Sequence, residues 1–98
     1  MNTIAFTQYL RPHGRKISTS VECSDDIIEK ADAICAAGYK FEVEVLMTGN
    51  VSMTVENTDD DKLDLEGGPI AIEIVPNGPG VLDAVVRLVN KAYAAIKG

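Results

Sequence analysis

From Phe41 to Val55 the chain reads FEVEVLMTGNVSMTV, and apolar and polar residues alternate on both sides of its centre. Phe41, Val43, Val45 and Met47 interleave with Glu42, Glu44 and Leu46, and beyond Thr48-Gly49-Asn50 the residues Val51, Met53 and Val55 interleave with Ser52, Thr54 and Glu56. A period of two marks half-buried strands, so the stretch predicts a β-hairpin. A two-residue Gly49-Asn50 loop would set Thr48 opposite Val51 and Val45 opposite Thr54, mixing both faces. A three-residue loop, Thr48 to Asn50, sets Met47 opposite Val51, Val45 opposite Met53 and Val43 opposite Val55. One face is then wholly apolar, and this is the register expected, because a one-residue slip would turn every side chain to the wrong face. Asn50 takes the left-handed position of that loop. Glu42 falls directly opposite Glu56, with Glu44 on the same outer face, an arrangement that costs roughly 0.2 kcal/mol or more unless water screens it or a cation faces it.

Before this hairpin, Thr3 to Leu10 and Lys16 to Glu22 are rich in β-branched and aromatic residues and flank Arg11-Pro12-His13-Gly14-Arg15. Pro followed two residues later by Gly fits a turn closed by a left-handed glycine, which predicts a first hairpin with Pro12, His13 and Gly14 as its loop and Arg11 facing Arg15. Its apolar groups then divide between the faces, Ile4, Phe6 and Leu10 on one and Tyr9, Ile17 and Val21 on the other. Ser24 is placed to cap a helix, Asp25 and Asp26 favour its positive end, and Gly38 is placed to end it. Ile27, Ile28, Ala31, Ile34 and Cys35 recur at helical spacing and form its buried stripe.

After the central hairpin, Asn57 to Gly68 is the most acidic segment. It matches a calcium loop poorly, since its sixth position is Lys62 and its twelfth is Gly68, and it reads as a solvated connection. Pro69 to Val75 predicts another strand, with Ile70, Ile72 and Ile74 facing one way and Ala71, Glu73 and Val75 the other. Asn77-Gly78-Pro79-Gly80 leads into a second helix whose stripe is Val81, Leu82, Val85, Leu88, Val89, Ala92, Tyr93 and Ile96, with Asp83 spaced to pair with Arg87. The expected architecture is one α+β domain over residues 1–98, in the order β-β-α-β-β-β-α. It has a five-stranded, mostly antiparallel sheet with two helices on one face. Val43, Val45, Met53, Val55, Ile72, Val85 and Val89 are its expected core. The opposite face becomes an acidic, hydroxyl-bearing plane of Glu42, Glu44, Glu56 and Glu73 with Ser52 and Thr54.

Composition narrows the functions this plane can serve. At 98 residues, with 46% hydrophobic and 24% charged residues, the chain is of ordinary globular make-up. Nine Lys and Arg against 15 Asp and Glu give a formal charge of -6 and a pI near 4.6, which disfavours direct nucleic-acid binding. No apolar run approaches the ~18 residues of a membrane span and no signal-peptide core is visible, so a soluble cytoplasmic protein is expected. Cys23 and Cys35 with the single His13 make a weak zinc set, and Cys35 reads as a small buried hydrophobe. No nucleophile elbow, Walker loop or metal motif is present, and carboxylates on an open face stay ionised, so a non-catalytic protein without a cofactor is expected. Arg11, His13, Arg15 and Lys16 gather at the first hairpin tip, either as a solvated turn or as an anion grip for a phosphate-bearing metabolite or nucleotide.

The stretches FTQYLRPHGRK (6–16), FEVEVLMTGNVSMT (41–54) and AIEIVPNGPGV (71–81) resemble a group of small proteins encoded by bacteriophages and prophages. The resemblance carries no catalytic motif and transfers no site residues. It implies a role in host takeover or anti-defence by binding, and hence a host protein with a basic surface as the partner of the acidic face. The divided faces of the first hairpin further predict a homodimer built on that hairpin, using Phe6 and Tyr9.

Overall fold

A computed structural model of the chain describes residues 2–10, 15–57 and 69–97. The elements are β1 (Asn2–Leu10), β2 (Arg15–Cys23), α1 (Asp25–Ala36), β3 (Tyr39–Val45), β4 (Asn50–Asn57), β5 (Ala71–Pro76) and α2 (Val81–Lys97). The class is α+β and the order of elements is the expected one. The strands form one sheet in the order β2-β1-β3-β4-β5. β1 and β3 run parallel, and every other neighbouring pair is antiparallel. The parallel pair arises because α1 carries the chain from the end of β2 across β1, so that β3 lands on the far side of β1 and runs with it.

The two helices pack on each other, α1 over β1 and β3 and α2 over β4 and β5. The core is a single cluster between this layer and the sheet. Phe6 of β1 and Phe41 of β3 meet at its centre with ring centroids 5.3 Å apart and planes tilted by 55°. Ile27, Ile28, Ala31 and Ile34 are buried from α1, and Ala84, Val85, Leu88, Val89 and Ala92 from α2. Gly38 ends α1 as expected, with φ +96° and its N–H donated to the Cys35 carbonyl at 3.0 Å. Ser24 does precede the helix, but its hydroxyl donates to the Asp26 carboxylate at 2.6 Å rather than capping a backbone N–H. Cys35 lies on the exposed side of α1, and Cys23 is the buried thiol. Twelve residues of one helix present only a narrow stripe, and Ile34 fills it at the end where Cys35 was expected. In α2 the same narrowness leaves Leu82 exposed and puts Ala84 in the core.

The central hairpin pairs Val45 with Val51, Val43 with Met53 and Phe41 with Val55. The whole ladder is therefore displaced by two residues from the expected one. The loop is Met47-Thr48-Gly49, closed by Gly49 N–H to the Leu46 carbonyl at 3.0 Å and Leu46 N–H to the Asn50 carbonyl at 2.8 Å. Gly49 takes the left-handed position, φ +89°, in place of Asn50. Glycine has no Cβ to clash there, whereas asparagine only tolerates the region. A shift of two keeps every side chain on its face, so hydrophobic alternation cannot tell the two ladders apart. It does move the strand ends: Val45 is 48% exposed and Met47 wholly exposed, while Val43 is half-buried.

The first hairpin departs by one residue, with Leu10 opposite Arg15 and Ile4 opposite Val21. The expected Arg11-to-Arg15 pairing is thereby replaced, because Arg15 is already paired with Leu10. An odd shift exchanges the faces of one strand against the other, so Ile4, Phe6 and Val21 gather on the helix side instead of dividing. β5 is inverted as well. Its ladder sets Glu73 opposite Met53 and Ile72 opposite Thr54, so Ala71 is buried toward α2 while Ile72 and Ile74 are 47% and 55% exposed on the open face.

Two outcomes follow from this arrangement. Gly49→Ala should lower stability by about 1 kcal/mol, the cost of a left-handed residue with a Cβ, while Asn50→Ala changes it little; urea unfolding midpoints distinguish the two. With a thiol reagent the native protein should react at Cys35 and spare Cys23, and both should react once it is unfolded, as peptide mapping would show.

Candidate functional site

The face of the sheet turned away from the helices holds three of the four expected carboxylates. Alternation along β3 puts Lys40, Glu42 and Glu44 on this side, and alternation along β4 puts Ser52, Thr54 and Glu56 beside them. Thr7 of β1 and Thr54 of β4 flank Glu42 across the sheet. Glu42, Glu44, Ser52, Thr54 and Glu56 line a shallow depression of about 140 Å³. Glu42 is the deepest of them, only 6% exposed, and the Lys40 ammonium stands 3.5 Å from its carboxylate.

Glu42 and Glu56 sit on a diagonal rather than opposite one another, since Thr54 faces Glu42 and Lys40 faces Glu56. Their carboxyl groups nonetheless interact across that diagonal, and the charge of Glu42 opposes ionisation of Glu56. Burial, first, and then the hydrogen bond and negative charge of Glu42 raise the Glu56 carboxyl above its ordinary range, against the smaller opposing pull of Lys40 and the Thr54 hydroxyl. The depression is therefore a place where negative charge is crowded.

Glu73 does not belong to this face. It points to the helix side at the edge of the sheet, where it accepts hydrogen bonds from Arg87 at 2.8 Å and from Lys91. These two cations, first Lys91 and then Arg87, hold its carboxyl below the usual range. Arg87 is thus engaged across to β5 rather than along α2 with Asp83. The place expected for Glu73 on the open face is taken by Ile72 and Ile74, opposite Thr54 and Ser52. A signal for this was present in the sequence, because Arg87 and Lys91 lie one helical turn apart, where one acid on a neighbouring strand can meet both.

Of the expected basic tip, Arg11 and His13 lie outside the described residues. Arg15 and Lys16 are described only as backbone positions in β2, paired with Leu10 and Tyr9. Phe6, expected at a dimer contact, is 2% exposed and belongs to the core. Among the described residues, no group of three or more His, Cys, Asp or Glu side chains is arranged to hold a metal ion. No described helix is long and apolar enough to cross a membrane. No protein-family model, curated protein or solved structure matches the chain.

A carboxyl whose folded-state range is raised favours the fold while it is protonated. That contribution is complete below its unfolded value near 4.5 and is lost as pH rises through the folded value. Glu56→Gln keeps an uncharged group facing Glu42 at every pH. The variant should be more stable than the parent at pH 7 by about 0.2 to 1 kcal/mol, the scale of one like-charge contact on a sheet. The difference should close below pH 4.5, which denaturant titrations at the two pH values would measure.

Proposed function

We propose that this chain is a non-catalytic binding module of the host-takeover or anti-defence kind, docking a basic surface of a host protein onto the open face of its sheet. The kind of role is suggested by the resemblance of residues 6–16, 41–54 and 71–81 to small phage and prophage proteins. What supports the surface is one observation: the crowded Glu42 and Glu56 carboxyls lie in a depression on an uncovered sheet face, with Ile72 and Ile74 exposed beside them.

Each part of that arrangement asks something different of the partner. A lysine or arginine entering the depression meets crowded carboxylates and relieves their repulsion, so a cation is favoured there over water. Arginine fits best, since its planar fork can meet two carboxylates at once. Ile72 and Ile74 add apolar area next to the charge, the combination typical of a buried interface anchor with a polar surround. Glu44 and the Ser52 and Thr54 hydroxyls complete the acceptor surface.

The test is affinity capture from bacterial lysate with the parent protein, Glu44→Lys and Ile74→Asp, all three first shown to unfold at similar temperatures. Both variants leave the buried Glu42 in place. Recovery of the captured protein should fall about tenfold or more in each variant, and should weaken with added salt in the parent. Equal recovery by all three would remove the open face as the docking surface.

A further inference from the structure

The helix side of the sheet carries a cavity that the partner-docking face does not use. α1 covers β1 and β3, and α2 covers β4 and β5, but between the strands and the first turns of α2 the two layers do not close. The space that remains measures about 250 Å³. Phe6, Val43, Met53 and Val85 contribute its apolar lining, and Phe6, Met53 and Val85 are themselves 2% exposed or less. Val45, nearly half exposed, and Val81 at the start of α2 also line it. The space opens to solvent past Val45 and is floored by side chains of the core.

Its chemistry is specific in what it contains. Among its described lining residues, Gln8, Thr19 and Asn77 are the polar ones and none is Asp, Glu, Lys, Arg or His. Each of the three can donate or accept a hydrogen bond, and none can neutralise an ion. From these residues an ionised ligand entering the space would gain no counter-charge for the hydration it loses, whereas a neutral one would exchange water for apolar contact and one or two hydrogen bonds.

We propose that this cavity is a binding site for a small uncharged molecule with an aromatic or branched aliphatic body and one hydrogen-bonding group. Since an apolar cavity of ~150 Å³ accommodates benzene, the space suits about ten non-hydrogen atoms, the size of a bicyclic or short-chain aromatic. The body lies against Phe6, Met53 and Val85, and the polar group reaches Gln8, Thr19 or Asn77. This site is on the opposite side of the sheet from Glu42 and Glu56 and stands or falls independently of them.

Indole, as an uncharged probe, and benzoate, as a charged one, would be titrated into the full chain while the methyl resonances of Val43, Val51 and Val85 are followed by NMR. Indole should move these methyls saturably and benzoate should leave them in place. Val45→Phe, which adds bulk at an exposed lining position, should keep the fold and lose the indole response. Absence of a saturable shift up to the solubility of indole would overturn the site. So would equal shifts with benzoate, or an unchanged response in folded Val45→Phe protein. Should Val45→Phe fail to fold, the contrast between indole and benzoate in the parent protein decides the matter alone.

Discussion

The parallel pairing of β1 with β3 is the constraint on which the other elements depend. It joins the β1-β2 ribbon, marginal by itself, to the three-stranded β3-β4-β5 meander, and makes one sheet wide enough to support a helical layer. The pairing register sets Thr7 beside Glu42 and Gln8 beside Val43, and Phe6 of β1 packs its ring on Phe41 of β3. An aromatic contact of this kind contributes about 0.5 to 1.5 kcal/mol beyond its burial. Because parallel neighbours require a long crossover, α1 has to span β1, and its stripe of Ile27, Ile28, Ala31 and Ile34 is what makes that crossing favourable.

The same constraint produces both features with functional promise. β3 becomes the centre strand, so Glu42 has a strand on either side of it and is buried although its face is open. α1, tied to the crossing, cannot also cover the far ends of β1 and β3, and the cavity between Phe6, Val43 and α2 is the space it leaves. A carboxylate under pressure on one side of the sheet and a neutral hollow on the other thus come from a single topological choice.

The fold class, the order of elements and both helix ends near Gly38 and Val81 could be read from periodicity and from glycine and proline placement. Sequence alone misjudged the strands in an instructive way. Alternation reports register modulo two, so the central hairpin kept its faces while sliding by two, and only the preference of Gly49 for a left-handed backbone separated the alternatives. In the first hairpin a register one residue away from the expected one exchanged the faces of β2 and brought Val21 over to Ile4. β5 misled most, because three isoleucines outweigh Ala71, Glu73 and Val75 on any hydrophobic scale. In the structure Glu73 meets Arg87 and Lys91, on a helix that follows it in sequence. Of the acidic plane, Glu42, Glu44 and Glu56 were legible from the central hairpin, since they sit on strands whose faces the alternation does fix. The cavity was not, because empty space depends on how far two helices reach and leaves no trace in the order of residues.

Glu73 has one more effect, on how such sheets meet each other. A charged side chain turned inward on an edge strand obstructs the approach of another strand, since a newcomer would have to bury or displace it. β5 carries that guard, fixed by two cations. The β5 end of the sheet is therefore guarded against lengthening by an added strand, by a charge that the helix layer itself keeps in place.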